Sequence, residues 1–280
     1  MKETRAEYLP IDKLCPFEGH PFKVTDNEEM DQLTWSILTQ GLLTPLVVRP
    51  LPTGKYEVIS GHRRLHACKK AGIDTVPALV TNLDRDAAAI ALVDSNLHRE
   101  HILPSEKAFA YKLKMDALNR QGTSRQLGEK FSVTQISDAT GDSERQVHRY
   151  IRLTELIPEI LQMVDDGRIA LTPAVELSYL NEWEQKDLLE TMESEDCTPS
   201  LSQAMSLKAA SQAREWDMDR IFDIMTQPKP NQQEKISFKV AELRDYFPRH
   251  YTASQMMHEI KVALKERQQR LARQRDRDGR

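Results

Sequence analysis

A glycine, a histidine and two arginines, Gly61-His62-Arg63-Arg64, stand where the apolar run YEVIS gives way to the helical pattern LHACKKAG. A helix start carries unpaired backbone N–H groups and the positive end of the helix dipole, so Arg63 and Arg64 sit where cations are disfavoured unless an anion shares the site. Phosphate suits both the donors and the charge. Helical spacing puts Leu65, Cys68 and Ala71 on one side of the following helix and Arg63, His66 and Lys70 on another, leaving the basic side open to a ligand. Further along, DSNLHRE presents Asn96 and Arg99 at i, i+3, a side-chain oxygen beside a guanidinium. That pair suits a metal-bound phosphate, with the Asn96 oxygen toward Mg2+ and Arg99 toward phosphate oxygens. His98 and His101 share the same spacing, but without a third ligand they read as a solvated face. GLLTPLVV, Gly41 to Val48, is apolar and broken at Pro45; it reads as core, or as a wall whose backbone near Thr44 lines a base pocket. Read without any ligand, the arginines simply reach into water.

A second constellation follows. TQISDATGDSERQVHRYIRL has the spacing of a helix-turn-helix over about residues 132–153. Ile136 and Ala139 are expected to pack the first helix, Gly141 to permit the turn, and Val147, Tyr150 and Ile151 to seat the second. That leaves Ser143, Arg145, Gln146, His148, Arg149 and Arg152 as the polar residues of the second helix, with Thr134 and Gln135 on the first. Arginine and glutamine suit base edges in a major groove, and Ser143 at a helix start suits a backbone phosphate. Three arginines against one glutamate from Ser143 to Leu153 are a mild local excess. A generic helical hairpin fits the bare pattern equally.

The elements that must position these residues change class along the chain. YLPIDKL reads as a strand. TDNEEMDQLTWSILTQG reads as a helix with a Thr25–Glu28 capping box, an apolar face of Met30, Leu33, Ile37 and Leu38, and a Gly41 stop. LVVRPL and YEVIS flank Pro52-Thr53-Gly54 as a hairpin, and VPALVTNL is a further strand. Asp84 caps an alanine-rich helix that Pro104 closes, and Ser105 caps the next. TSRQLGEKF, SVTQISDATG and SERQVHRYIRLTEL then follow as separate helices, and only helices are expected to about Glu234. Ile236, Phe238 and Val240 alternate with Ser237 and Lys239 as one strand, and a Thr252–Gln255 capping box opens a helix striped with Met256, Ile260 and Leu264. Seven basic and three acidic residues from Lys265 to Arg280 read as a fraying, solvated end.

Length and composition set the frame. The chain has 280 residues, enough for two or three domains, and a net charge of −4 with 29% charged residues, which by itself argues neither for nor against nucleic acid. Cys15, Cys68 and Cys197 are widely spaced without a C-x-x-C pair, against a disulfide framework or structural zinc. No run approaches the length of a membrane span, so a cytoplasmic protein with no membrane role is expected.

The combination is more specific than its parts. GLLTPLVVRP, YEVISGHRRLHACKKAGIDTVPALV and NLHREHILPSEKAFAY resemble the three N-terminal boxes of the ParB family of chromosome and plasmid partition proteins, in order, with the helix-turn-helix following. The resemblance runs from about Tyr8 to Leu180. It implies an α+β ParB/sulfiredoxin-like domain over 1–104, an all-α helix-turn-helix domain over 105–210, and a small α/β or helical segment over 211–280 with a possible dimerisation role. It also implies CTP and Mg2+: cytosine against Gly41, Thr44 and Pro45, the triphosphate on Gly61, His62, Arg63 and Arg64, and Mg2+ through Asn96 with Arg99 near the phosphates. Double-stranded DNA with a palindromic site, a homodimer, a nucleoid location and a ParA-type ATPase partner belong to the same implication. The family usually has glutamate where this chain has His62, often glutamate where it has Ser95, and its proline-glutamine-proline-arginine run is only faintly echoed in EGHPFKV. Of its basic N-terminal tail, Lys2 and Arg5 precede Tyr8. The resemblance therefore implies nucleotide binding more directly than CTP hydrolysis. A transcriptional repressor that keeps the fold without nucleotide turnover is the alternative. An enzyme such as a sulfiredoxin is disfavoured, because Cys68 lies too far into its helix.

Overall fold

Side chains alternate between the two faces of a strand, and along LVVRP and YEVIS both faces are apolar, which calls for helices on each side. The computed structural model describes residues 4–97, 99, 101–121, 125–227, 243, 246–248 and 250–278, the side chains of 125–131, 253 and 269–278 excepted. They fall into two units, Met1–Gln227 and Pro228–Arg280.

Strands β1 (Thr4–Pro10), β2 (Leu14–Pro16), β3 (Leu46–Pro50), β4 (Tyr56–Ser60) and β5 (Thr75–Thr81) form one mixed sheet of order β1-β5-β3-β4-β2. β1 runs antiparallel to β5 with Thr4 opposite Thr81, β3 parallel to β5, β4 antiparallel to β3, and β2 parallel to β4. Leu46, Val48 and Val58 point to one face, where Met30 and Ile37 of α1 (Glu28–Gln40) and Leu65 and Cys68 of α2 (His62–Lys70) close over them. Ile59 points to the other, against Ala88, Leu92 and Val93 of α3 (Arg85–Asn96) and Ala110 and Ala117 of α4 (Pro104–Gln121). Adjacent β4 residues thus serve opposite layers, and the β4–α2 junction is pinned from both.

The structure departs from several sequence expectations. Tyr8–Leu14 is not one strand: β1 begins at Thr4, Pro10 enters a 3-10 turn over Ile11–Lys13, and β2 resumes at Leu14. The proline cannot donate to a ladder, which fits a break there. The α1 cap is Asn27, whose side chain accepts the Met30 amide at 3.1 Å, rather than Thr25. Pro104 does not close α3, which ends at Asn96; it opens α4, where a missing N–H costs nothing. Ser105 is accordingly inside α4, its hydroxyl on Asp165 at 2.5 Å. The two short helices expected before Gly141 are one, α5 (Arg125–Thr140).

From α4 onward every described element of the first unit is helical: α5, α6 (Glu144–Arg152), α7 (Pro158–Asp165), α8 (Leu171–Leu177), α9 (Glu182–Ser194), α10 (Leu201–Ala213) and α11 (Met218–Thr226). Tyr111 of α4, Val133 and Ile136 of α5 and Val147 of α6 form a small core of their own, which makes the α5–α6 pair a helix-turn-helix seated on α4. Ala139 is exposed and does not join it, a correction to the expected packing. A larger core spans α7 to α11 around Leu153, Ile160, Leu177 and Leu188. The second unit carries α12 (Ala253–Asp278), opened by the expected reciprocal bonds between Thr252 and Gln255. In its stripe Met256 is buried, whereas Leu264 is exposed. The strand expected at Ile236–Val240 lies outside the described residues. Among the described residues, no helix is long and apolar enough to cross a membrane.

Candidate nucleotide cleft and nucleic-acid interface

Gly61 leaves β4 with φ of +102°, a conformation that side chains oppose; a Cβ there would meet Leu46 Cδ2 at 2.6 Å. The tight turn drops the first residues of α2 onto the end of the sheet, beside the end of α3. Ser60, Gly61, His62, Arg63, Arg64, Ser95, Asn96 and Arg99, with Leu33 of α1, line one cleft of about 410 Å³. The structure therefore brings together the glycine, the arginine pair and the asparagine–arginine pair that the sequence presents far apart.

Each polar group there has a different standing. Arg64 donates through one terminal nitrogen to the carbonyls of Thr44 and Pro45, at 2.6 and 2.9 Å. Thr44 and Pro45 are thus tied to the cleft through Arg64 rather than by lining it, and Gly41 serves as the α1 cap, with φ of +75°. Arg63 bonds Glu29 of α1 at 2.9 Å in an exposed pair, the kind that water and salt weaken and that a stronger anion displaces. Arg99 lies over the Phe22 ring, 5.5 Å from its centroid, and burial, then Arg63, push its pKa down from the usual arginine range. Two neighbouring cations in one half-buried cleft favour an anion with several negative oxygens. Asn96 is buried, and its amide nitrogen is taken by the Leu92 carbonyl at 2.7 Å and by Ser95 Oγ at 3.1 Å, so the carbonyl oxygen is what it can offer.

His62 faces inward. Phe17 N–H donates to its Nε2 at 3.4 Å, and its ring lies tilted against His20 with centroids 3.7 Å apart. Burial, then the charge of His20 and of Arg99, drive its pKa down to about 3, against a hydrogen bond with the Val58 backbone, so the ring is neutral near pH 7. An imidazole held this way has no spare basic nitrogen for a general base toward the cleft. His20 and Phe22, which shape this wall, escaped sequence reasoning; the only signal was their place in EGHPFKV. His98 lies outside the described residues, and among those described no group of three or more His, Cys, Asp or Glu is placed to hold a metal ion.

At the helix-turn-helix, Gly141 turns with φ of +75° and Ser143 caps α6, accepting the Gln146 amide at 3.2 Å. Arg145 and His148 are exposed on α6. Arg149 is half-buried and bridges Gln146 Oε1 at 3.1 Å and Thr172 Oγ1 of α8 at 2.6 Å. Thr134 and Arg152 have partners within the chain. Thr134 donates its hydroxyl to the Glu144 carboxylate at 2.6 Å, and Gln135 is half-buried on α5. Arg152 donates to the Ser178 carbonyl and lies 4.3 Å over the Tyr179 ring, which takes it off the face that Arg145 and His148 share.

Comparison with known proteins gives two consecutive family matches. Residues 1–97 match the ParB N-terminal domain, and residues 104–206 the ParB HTH domain. The probable chromosome-partitioning protein ParB of Vibrio cholerae serotype O1 is 30% identical over 242 residues, covering 84% of this chain and 77% of that protein. Its counterpart from Pseudomonas putida is 32% identical over 188 residues, 66% of this chain; the chain spans 60% of that relative's length. C-terminally truncated ParB from Caulobacter crescentus, solved with the centromeric parS site, is 23% identical over 74% of this chain and 99% of that one, with a TM-score of 0.42. The same protein with CTP-gamma-S is 28% identical over 63% and 93%, with a TM-score of 0.32.

Proposed function

The chain belongs to the ParB family, and from that premise we propose that it is a sequence-specific DNA-binding partition protein regulated by CTP. The observation that carries the nucleotide half is the convergence of Arg63, Arg64, Asn96 and Arg99 on one cleft whose arginines have no buried carboxylate among their described bonds. The base is assigned to the Thr44–Pro45 backbone that Arg64 holds, and the triphosphate to the α2 start. Mg2+ fits in one respect only: Asn96 supplies a single neutral oxygen, so phosphate oxygens and water must complete its shell. When bound, Mg2+ would neutralise phosphate charge; the side chains themselves bind and orient.

The DNA half rests on α5 and α6, with Arg145, Gln146, His148 and Arg149 as the base-edge candidates and Ser143 near the backbone. A homodimer on a palindromic site, a nucleoid location and a ParA-type ATPase as partner complete the proposal. Titration calorimetry of the full chain with CTP and Mg2+, against ATP, GTP and UTP, tests the nucleotide half, with CTP alone expected to bind; no heat with any nucleotide refutes it. The inward, neutral His62 favours one second reading, a transcriptional repressor that keeps the fold without nucleotide turnover. Genome-wide occupancy separates the two: spreading over kilobases from one site marks a partition clamp, and a sharp peak at a promoter marks a repressor.

A further inference from the structure

We infer that Thr172, the second residue of α8, is a positioning residue that fixes how Arg149 reads DNA, an inference that rests on the DNA-binding reading above. A guanidinium at the end of a flexible stem reads a base edge well only if its plane is set before the base arrives, because ordering it on binding costs conformational entropy. Arg149 is ordered already. One terminal nitrogen donates to Gln146 Oε1 at 3.1 Å, on its own helix, and the other to Thr172 Oγ1 at 2.6 Å, on another. Two anchors on two elements fix both the position and the plane of the fork, and its remaining N–H groups are left for a ligand.

The second anchor is itself rigid. Thr172 is β-branched, with few side-chain rotamers. Its neighbours Pro173, Ala174, Val175 and Leu177 are buried, the last three in the core that joins α7 to α11, so the α8 backbone does not follow movements of α6 alone. Arg152, one turn beyond Arg149, does not compete for the hydroxyl, since it is held by Ser178. Sequence reasoning confined to the helix-turn-helix has no means of finding Thr172, which lies 23 residues past Arg149 and outside the motif. Base discrimination is thereby shared between α6 and α8.

The test uses the full chain and two probes: a duplex enriched by the wild-type protein from a random-sequence library, and a scrambled duplex of the same composition. Thr172→Val, which keeps the shape and removes the acceptor, is expected to weaken binding to the enriched duplex about tenfold, within the range one base contact commands. Affinity for the scrambled duplex and the salt dependence of binding are expected to stay as in wild type, since no phosphate contact is lost. Thr172→Ser is expected to bind as wild type. In an Arg149→Ala background, Thr172→Val is expected to cost nothing further. The inference is overturned if Thr172→Val binds both duplexes as wild type does, if it weakens both equally, or if its effect adds to that of Arg149→Ala. Should the wild-type chain enrich no duplex, the DNA-binding reading fails first and takes the positioning role with it.

Discussion

Arg64 holds the carbonyl oxygens of Thr44 and Pro45 at 2.6 and 2.9 Å from a single guanidinium nitrogen, joining the α2 start to a loop some twenty positions earlier in the chain. The residue proposed as a phosphate ligand thus also holds the Thr44–Pro45 backbone to which the base is assigned above. Burial lowers its pKa from the usual arginine range, yet it stays charged near pH 7, which makes both bonds charge-assisted. Arg64→Ala is expected to abolish CTP binding, and Arg64→Lys to restore little of it, because an ammonium lacks the planar fork. Calorimetry checks both; a lysine variant with wild-type affinity would show that charge alone matters.

Arg63 makes the opposite prediction for stability. Its pair with Glu29 is exposed and contributes only about 0–1 kcal/mol, so Arg63→Ala should leave the melting temperature nearly unchanged. A charged hydrogen bond to phosphate contributes about 1.5–3 kcal/mol, so nucleotide affinity should fall at least about tenfold. Binding of a short enriched duplex should stay intact, because Arg63 lines the cleft whereas α6 packs in the separate small core with α4 and α5. Equal loss of both activities would refute separate sites.

Gly61 is the stricter constraint. Gly61→Ala forces a Cβ into a left-handed conformation and to 2.6 Å from Leu46 Cδ2, a cost of about 1–3 kcal/mol from backbone strain alone. Thermal unfolding should register that loss, and the displaced α2 start should weaken CTP binding with it.

His62 gives a pH dependence with a definite sign. Its folded pKa, about 3, lies below its ordinary value of 6.5, so between those limits the unfolded chain binds more protons than the folded one. The stability tied to its neutral ring is fully present above pH 6.5 and is lost as pH falls toward 3. His20, lowered chiefly by burial, acts in the same direction. His62→Gln is expected to flatten the acid limb of a melting-temperature profile relative to wild type; an unchanged limb would mean the ring titrates freely.

What was legible in the sequence was contiguous. The α2 start, the Asn96–Arg99 pair and the Ser143 cap lie within single short motifs, where local spacing fixes geometry, and all appear where expected. Errors arose where tertiary partners decide. Asn27 outcompeted Thr25 as a cap, both being good candidates close together in the chain. α5 runs unbroken over Arg125–Thr140, although its sequence contains Gly128. Thr134 and Arg152 look like free polar residues on a helical wheel, yet Glu144 and Ser178 claim them, and His62 turns inward because His20 and Phe17 receive it. No local pattern encodes those pairings.

Arg152 shows how such a partner changes a prediction. Its guanidinium lies 4.3 Å over the Tyr179 ring, bonds Ser178 through both Nε and a terminal nitrogen, and shares that ring with Lys208, whose Nζ is 3.6 Å from the centroid. Lys208 is in turn neutralised by Glu176 at 2.9 Å, which lets two cations share one aromatic ring. Removing Arg152 deletes a stacked cation and leaves the Ser178 carbonyl without its donor, so Arg152→Ala should cost about 1–3 kcal/mol of stability. Discrimination between enriched and scrambled duplexes should survive, whereas Arg149→Ala should lose about 1–3 kcal/mol of it at little cost in stability. Melting curves and duplex competition on the two variants side by side make the assignment. An Arg152→Ala protein that melts as wild type but no longer distinguishes the duplexes would return Arg152 to the DNA-reading face.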